Sequence, residues 1–131
     1  MLNFKISELI YSDTAVSKNI NNMPDINSLD CMLNLIVYCL QPIRDKLKKP
    51  MLITSGYRNS EINKLVGGAS NSQHTKGQAV DFIVKGMTVN QVIEFIIRSG
   101  IEYDQLINEY NKWVHISFCQ GKNRRQYLKI S

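Results

Sequence analysis

Apolar residues in the first third of the chain recur at spacings of three and four, the pattern of helices that bury one face. Residues 7–19 show a short version of this pattern and predict a modest helix, which the turn formers of residues 21–25 end. A longer stripe predicts one long core helix, with Asp30 as its cap and a kink at Pro42. The members of this stripe are Leu29, Leu33, Ile36, Leu40, Ile43 and Leu47.

After residue 50, short apolar runs bounded by turn residues replace the helical pattern and predict strands. Thr88 and Gln91 form a capping box that opens one further helix, which Gly100 ends. This order of elements predicts an α+β fold, a small antiparallel β-sheet with helices packed on it, in a single domain over residues 1–131. The predicted strands cover residues 51–55, 78–84, 104–109 and 113–118, a short helix covers 59–65, a loop covers 66–73, and the tail from residue 122 adds an edge strand.

Composition narrows the range of partners. The formal net charge of +5 favours an anionic partner, but the basic residues are spread along the chain and no nucleic-acid readout motif accompanies them, so we expect no nucleic-acid partner. The N-terminus lacks the features of a secretory signal, and no apolar run approaches the ~20 residues of a membrane span. We therefore expect a monomer made in the cytoplasm without a signal peptide or membrane span. Cys31, Cys39 and Cys119 include no CxxC pair, which favours reduced thiols.

Two histidines and one aspartate stand where a packing role is hard to argue. His74 lies in a polar loop, and Asp81 interrupts an apolar strand, where a carboxylate costs several kcal/mol unless it is paired or bound to a metal. An ion pair with a nearby Lys or Arg is the alternative for Asp81. In the strand at residues 113–118, alternation places His115 opposite the apolar face. Two imidazoles and a carboxylate with an open fourth position are typical of catalytic zinc; iron and manganese use similar donors, but two nitrogens and one oxygen favour zinc.

A glutamate on the preceding strand is the candidate base. Six residues separate Glu109 from His115, roughly 20 Å along one straight strand. A three-residue hairpin loop at residues 110–112 instead pairs Glu109 with Trp113 and Ile107 with His115, which brings Glu109 to the His115 face. A two-residue loop would turn Glu109 to the other face. Asp104 is the alternative base, and an exposed strand-end carboxylate is the alternative role for Glu109.

The motifs around these residues resemble those of a known family. Residues 72–81 read SQHTKGQAVD and resemble the SxHxxGxAxD signature of the M15 peptidases, the group of D-alanyl-D-alanine carboxypeptidases and phage endolysins. Residues 105–109 and 113–115 are similar to the second half of that site. Hedgehog signalling domains share this metal site, with a glutamate six residues before the last histidine. The resemblance spans nearly the whole chain as far as His115 and is to the short, single-domain M15_3 type.

This resemblance implies a Hedgehog-like or D-alanyl-D-alanine-peptidase-like fold in which His74, Asp81 and His115 bind Zn²⁺. It also implies that Glu109 takes a proton from the attacking water and that Arg58 holds the substrate's carboxylate or scissile carbonyl. Some carboxypeptidases of the group carry a glutamate three residues before the last ligand, where this chain has Lys112. Residues expected to contact the substrate are Tyr57, Ser72, Gln73 and Trp113.

Two functions remain open on the sequence alone. The first is a zinc metallopeptidase that hydrolyses peptide bonds in bacterial peptidoglycan, as a D-Ala-D-Ala carboxypeptidase or an endolysin-type endopeptidase, and acts on the cell wall after release. The alternative is a non-catalytic, zinc-stabilised module that binds the cell wall or forms part of a virion. Retention of Glu109 and Arg58 beside the metal ligands favours the enzyme.

Overall fold

The computed structural model describes residues 2–131 and contains helices packed on a five-stranded sheet, which confirms the α+β class. The helices are α1 (Ile6–Ile10), α2 (Asp13–Lys18), α3 (Ile26–Leu35), α4 (Gln41–Leu47), α5 (Ser60–Leu65) and α6 (Val89–Ser99), with a π-helical turn at Ile36–Leu40 and a 3₁₀ turn at Gln73–Lys76. The strands are β1 (Leu52–Ser55), β2 (Ala79–Ile83), β3 (Gln105–Glu109), β4 (Trp113–Ser117) and β5 (Gln126–Ile130).

The sheet has the strand order β1-β2-β4-β3-β5. The pairs β1–β2, β2–β4 and β3–β4 are antiparallel, as the sequence predicts. The predicted edge strand exists as β5, but it runs parallel to β3, so the sheet is mixed rather than purely antiparallel. The difference arises because β3 already pairs with β4 on its other side, and the chain returns past Phe118 to the start of β3 before β5 begins.

The hydrophobic core lies between one face of the sheet and the long helices. Alternation along β4 turns Val114 and Ile116 into this core and leaves Trp113 and His115 on the opposite face. Helix α6 packs on β3 and β4, and its capping box at Thr88 and C-terminal Gly100 are formed as predicted. The two faces of the central strands therefore divide the molecule into a packed side and a side that carries the polar cluster.

The N-terminal helices differ from the predicted single helix over residues 7–19. Two short helices form instead, because the Ser12 side chain accepts a hydrogen bond from Ala15 N and caps a new helix there. The cap of α3 is also earlier than predicted. It is Asp25, whose side chain accepts a hydrogen bond from Ser28 N at 2.7 Å, and Asp30 lies inside the helix.

Helices α3 and α4 and the π-helical turn between them form one continuous helix, Ile26–Leu47, here called the main helix. The wide turn precedes Pro42, which has no N–H to donate, and the helix continues through it. The extra residue of the π turn shifts the buried face, so Met32 and Leu35 are buried where the predicted stripe had Leu33, which is exposed. By length and composition the main helix also meets the requirement for a membrane span, a criterion that a core helix passes as well.

Asp104 lies directly before β3 and joins three separate segments of the chain through hydrogen bonds. Its carboxylate is 1% exposed and accepts two hydrogen bonds from the Arg124 guanidinium, both at 2.8 Å. It also accepts hydrogen bonds from the Arg124 backbone and from the Gln73 side chain at 2.9 Å. Both oxygens are therefore occupied, which removes Asp104 as the alternative base.

Replacing Asp104 by Asn tests this network. The Arg124 guanidinium and the other hydrogen bonds lower the pKa of Asp104 from 3.8 to about 2. A carboxyl group whose pKa is lower in the folded chain than in the unfolded chain stabilises the fold at any pH above its unfolded-state pKa. This contribution is lost as the pH falls through the folded-state pKa. We expect Asp104→Asn to reduce the free energy of unfolding by about 2 kcal/mol at neutral pH, and the difference to vanish between about pH 4 and about pH 2.

Urea unfolding followed by circular dichroism measures this difference at each pH. Asp30→Asn is the matched control, since Asp30 is exposed on the main helix. A difference between wild type and Asp104→Asn that stays constant down to pH about 2 would contradict the ion-pair account.

Candidate metal centre

His74, Asp81 and His115 meet on the polar side of the sheet. One potential ligand atom from each residue lies within 4.8 Å of the others. Asp81 Oδ1 is 3.4 Å from His74 Nε2 and 3.0 Å from His115 Nδ1. The two imidazole rings meet edge to face, with their centroids 5.1 Å apart. Among the described residues this is the only such group of three, so the structure brings together the ligand set that the sequence predicts.

Strand register places two of the three residues. Asp81 on β2 pairs directly with His115 on β4, so both side chains leave the same face of the sheet. On the other side of β2, the pairing with β1 shifts between Ile53 and Ser55, a bulge that lies directly beside Asp81. The Thr54 hydroxyl at this bulge donates a hydrogen bond to the Asp81 carbonyl at 3.2 Å.

A short capped turn places His74. The Ser72 hydroxyl accepts a hydrogen bond from His74 N at 3.2 Å, and the Thr75 hydroxyl donates to the Ser72 carbonyl at 2.6 Å. The turn ends at Gly77, whose φ of 73° is left-handed. A Cβ there would also collide with the Ser28 carbonyl of the main helix, so only glycine fits. The glycine in the motif is thus explained by close packing as well as by the turn.

The His74 ring has a fixed orientation. Its Nδ1 lies 2.8 Å from the Gly56 carbonyl, which can only accept, so Nδ1 carries the proton and donates it. Nε2 of the neutral ring is then free to bind a metal with its lone pair. Sequence reasoning missed this role of Gly56. The only signal was its position directly before Tyr57 and Arg58, where it ends a strand.

Asp81 is held in its ionised form. Burial by itself would raise its pKa. With the imidazoles protonated, before any metal takes the place of those protons, hydrogen bonds to His115 and His74 and the charges of both rings outweigh burial and hold the pKa well below its usual range. The carboxylate is 13% exposed. Among the described residues no Lys or Arg is in ion-pair contact with Asp81, and its anionic oxygen lies between two imidazole nitrogens, an arrangement that favours metal binding over the ion pair considered as the alternative.

The donor set fits zinc. A tetrahedral zinc ion with bonds of about 2.0–2.1 Å separates its ligand atoms by roughly 3.4 Å, and the two Asp81 distances are 3.4 and 3.0 Å. Two imidazole nitrogens and one carboxylate oxygen are ligands that zinc accepts, and three protein ligands leave a fourth position open. The two imidazole nitrogens also lie within 4.8 Å of each other, so the side chains fit a bound zinc ion once the imidazoles close on it.

Glu109 lies next to this cluster. The β3–β4 hairpin has the predicted register, with Glu109 opposite Trp113 and Ile107 opposite His115. Glu109 Oε1 is consequently 3.9 Å from His115 Nδ1. Burial and the charge of Asp81 raise the pKa of Glu109, while His115 and His74 lower it. A half-buried carboxylate beside the cluster, with no Lys or Arg in ion-pair contact among the described residues, is suited to accept a proton.

Arg58 enters the site from the segment after β1. Its backbone N–H donates to the His74 carbonyl at 3.0 Å, so the two residues are joined directly. Burial lowers the pKa of the guanidinium, and the charges of Asp81 and Glu109 act in the opposite direction. Its Nε is buried and has no hydrogen-bond partner in the structure. An unsatisfied donor of this kind is expected to bind an acceptor from outside the chain.

The four residues expected to contact substrate lie in different settings. Ser72 caps the His74 turn, and the Gln73 amide is bound to Asp104 and Gln78 rather than free. Tyr57 is 7% exposed and belongs to the hydrophobic core. Trp113 is half-buried against Tyr110, and its buried indole N–H faces Glu109 and lowers the pKa of that carboxyl group. Trp113 is therefore the best placed of the four.

Comparison with known proteins identifies a family and relatives with similar sequences. The sequence model of a family described as Peptidase M15 matches residues 2–117, which include the whole cluster and leave out β5. Two similar relatives are the peptidoglycan L,D-endopeptidase MepK of Escherichia coli (strain K12) and that of Shigella flexneri. Each is 36% identical over 72 residues, which covers 51% of this chain and 39% of the relative.

The chain thus matches well under half the length of these curated relatives, whereas the family match covers nearly all of its own length. The matched range includes His74, Asp81 and His115, and also Glu109 and Arg58. On this evidence the chain belongs to the peptidase M15 family.

Proposed function

We propose that this chain is a zinc-dependent peptidase that hydrolyses peptide bonds in bacterial peptidoglycan. One observation carries the proposal: His74, Asp81 and His115 present three ligand atoms within 4.8 Å of one another, with Glu109 and Arg58 beside them. A structural zinc site usually has four protein ligands, whereas three ligands next to a half-buried carboxylate suit catalysis. The relatives are peptidoglycan L,D-endopeptidases, which supports the substrate and favours an endopeptidase over a carboxypeptidase.

A bound zinc ion would supply Lewis-acid activation of the attacking water and of the scissile carbonyl. Glu109 accepts the proton of the attacking water on Oε1, the oxygen that faces His115, and delivers it to the leaving amine. Its raised pKa suits both transfers, because the carboxylate holds the proton more readily than an exposed glutamate does.

Arg58 binds the substrate beside the reacting bond. Its guanidinium offers donors in a planar fork, and the buried Nε lacks a partner within the chain. A peptide carboxylate or carbonyl oxygen binds the half-buried guanidinium, and the partial loss of water around Arg58 strengthens that contact. Trp113 lies opposite Glu109 on the neighbouring strand, and its half-buried ring packs beside the substrate.

Zinc binding is the first test. We expect the chain to bind one zinc ion and His115→Ala to bind none at the same concentration, because two remaining ligands cannot hold it. Zinc at roughly 100 times its dissociation constant should add about 3 kcal/mol to the free energy of unfolding of the wild type. Elemental analysis and thermal unfolding with and without chelator give the two readings. Cys31→Ser is the control and should bind zinc normally. Loss of zinc in that variant would show that cysteine thiols bind the metal instead.

The base is tested by Glu109→Gln, which keeps the shape of the side chain and removes its proton acceptor. We expect zinc to remain bound and peptide release from purified sacculi to fall roughly 10²–10⁴-fold. Mass spectrometry of the released fragments measures the rate and identifies the bond that is cut, separating endopeptidase from carboxypeptidase products. Glu102→Gln, at an exposed position, should retain activity. Full activity of Glu109→Gln would exclude this residue as the base.

The arginine is tested by Arg58→Ala and Arg58→Lys. Loss of a charge-assisted hydrogen bond should lower kcat/KM roughly 10- to 100-fold in the first variant. Lysine should recover only part of the loss, because it lacks the planar fork. Arg98→Ala is the control, since that side chain is 80% exposed on α6. Equal kcat/KM values for wild type and Arg58→Ala would remove Arg58 from substrate binding.

A further inference from the structure

Asn22 forms a buried polar hub behind the segment that carries Arg58. It lies in the loop between α2 and α3 and is 7% exposed. Its Nδ2 donates to the Ile10 carbonyl at 2.8 Å and to the Tyr57 carbonyl at 2.9 Å. Its Oδ1 accepts from Asn59 N at 2.9 Å. Both donors and the acceptor of one side chain are thus used by three backbone groups.

Two of these hydrogen bonds are made to the backbone directly before and directly after Arg58. The Tyr57 carbonyl and the Asn59 N–H belong to the peptide units on either side of Arg58, and both are held by Asn22. The third bond joins the hub to the end of α1 through Ile10. The backbone on both sides of the arginine is therefore fixed by one amide group that is itself anchored to a helix.

The same segment is held from two further directions. Tyr57 N donates to the Leu9 carbonyl of α1 at 2.6 Å. The backbones of Leu9 and Gly56 are so close that a Cβ on Gly56 would collide with the Leu9 carbonyl. On the side of the metal cluster, Arg58 N donates to the His74 carbonyl. The backbone around Arg58 is consequently held by His74 on the side of the metal cluster and by Asn22 and α1 on the opposite side.

Only asparagine suits this position. The hub needs two donors and one acceptor on a one-carbon stem, which aspartate, serine and leucine do not provide. The orientation of the amide follows from its partners, since carbonyl oxygens face Nδ2 and an N–H faces Oδ1. A buried amide with all three partners satisfied is a rigid support, because breaking any one bond leaves a buried group unpaired.

From this geometry we infer that Asn22 is a positioning residue, which fixes Arg58 in the cleft through the peptide units on both sides of it. Asn22 touches neither the metal ligands nor the substrate. Its effect on catalysis rests on the proposed function, in which Arg58 binds substrate, whereas its effect on the position of Arg58 does not.

A double-mutant cycle tests the catalytic part. Asn22→Ala should lower kcat/KM for peptidoglycan fragments roughly 10- to 100-fold, because small displacements of a binding group cost that much, while zinc remains bound. In an Arg58→Ala background the same change should cost nothing further, since the group it positions is gone. Additive losses in the double variant, or full activity of Asn22→Ala, would overturn the inference.

Matched variants separate positioning from general instability. Ile43→Ala removes a fully buried side chain of the main helix and destabilises the core without contact to the hub. It should leave kcat/KM unchanged in both backgrounds at a temperature where the chain is folded. If Asn22→Ala does not fold, Asn22→Ser replaces it, since the hydroxyl keeps one donor and should recover part of the activity.

The Arg58 side chain also gives a reading that needs no substrate. In a ¹H–¹⁵N spectrum, the Arg58 Nε–H signal should shift or broaden in Asn22→Ala and stay in place in Ile43→Ala. This signal decides the inference even if the wild type cleaves no peptide, so the failure of the proposed function would be seen separately. An unchanged Arg58 signal in Asn22→Ala would overturn it.

Discussion

The pairing of Asp81 on β2 with His115 on β4 is the constraint on which the rest of the site depends. Because side chains alternate between the two faces of a strand, a slip of one residue would turn His115 into the core and an apolar neighbour into the site. Val114 and Ile116 prevent this slip, since both are fully buried on the other face. The hydrophobic core thus fixes the register, and the register fixes two of the three ligands.

The third ligand and the arginine come from loops, and loops need other supports. His74 is held by the Gly56 carbonyl and by its capped turn, and Arg58 is held by His74 and Asn22. These contacts connect the N-terminal helices to the cleft, although those helices contribute no side chain to the metal cluster. The N-terminal segment therefore does more than pack against the core. Its hydrogen bonds hold the backbone of Arg58, the residue expected to bind substrate.

Sequence patterns predicted the site better than they predicted the helices. Loop length sets hairpin register, so the three residues between β3 and β4 were enough to place Glu109 near His115. The helical stripe failed at Leu33 because the π-helical turn shifts the helix phase, and nothing in residue spacing reveals such a turn. The direction of β5 and the bonding of Gln73 to Asp104 depend on contacts across the fold, which local patterns do not contain.

X-ray absorption spectroscopy of the zinc-loaded chain tests the central claim most directly, because it reads the atoms around the metal whatever the protein catalyses. We predict a first shell of nitrogen and oxygen at about 2.0–2.1 Å, with the outer-shell scattering of two imidazole rings. A sulfur shell at about 2.3 Å, or a spectrum without imidazole scattering, would contradict a centre built from His74, Asp81 and His115.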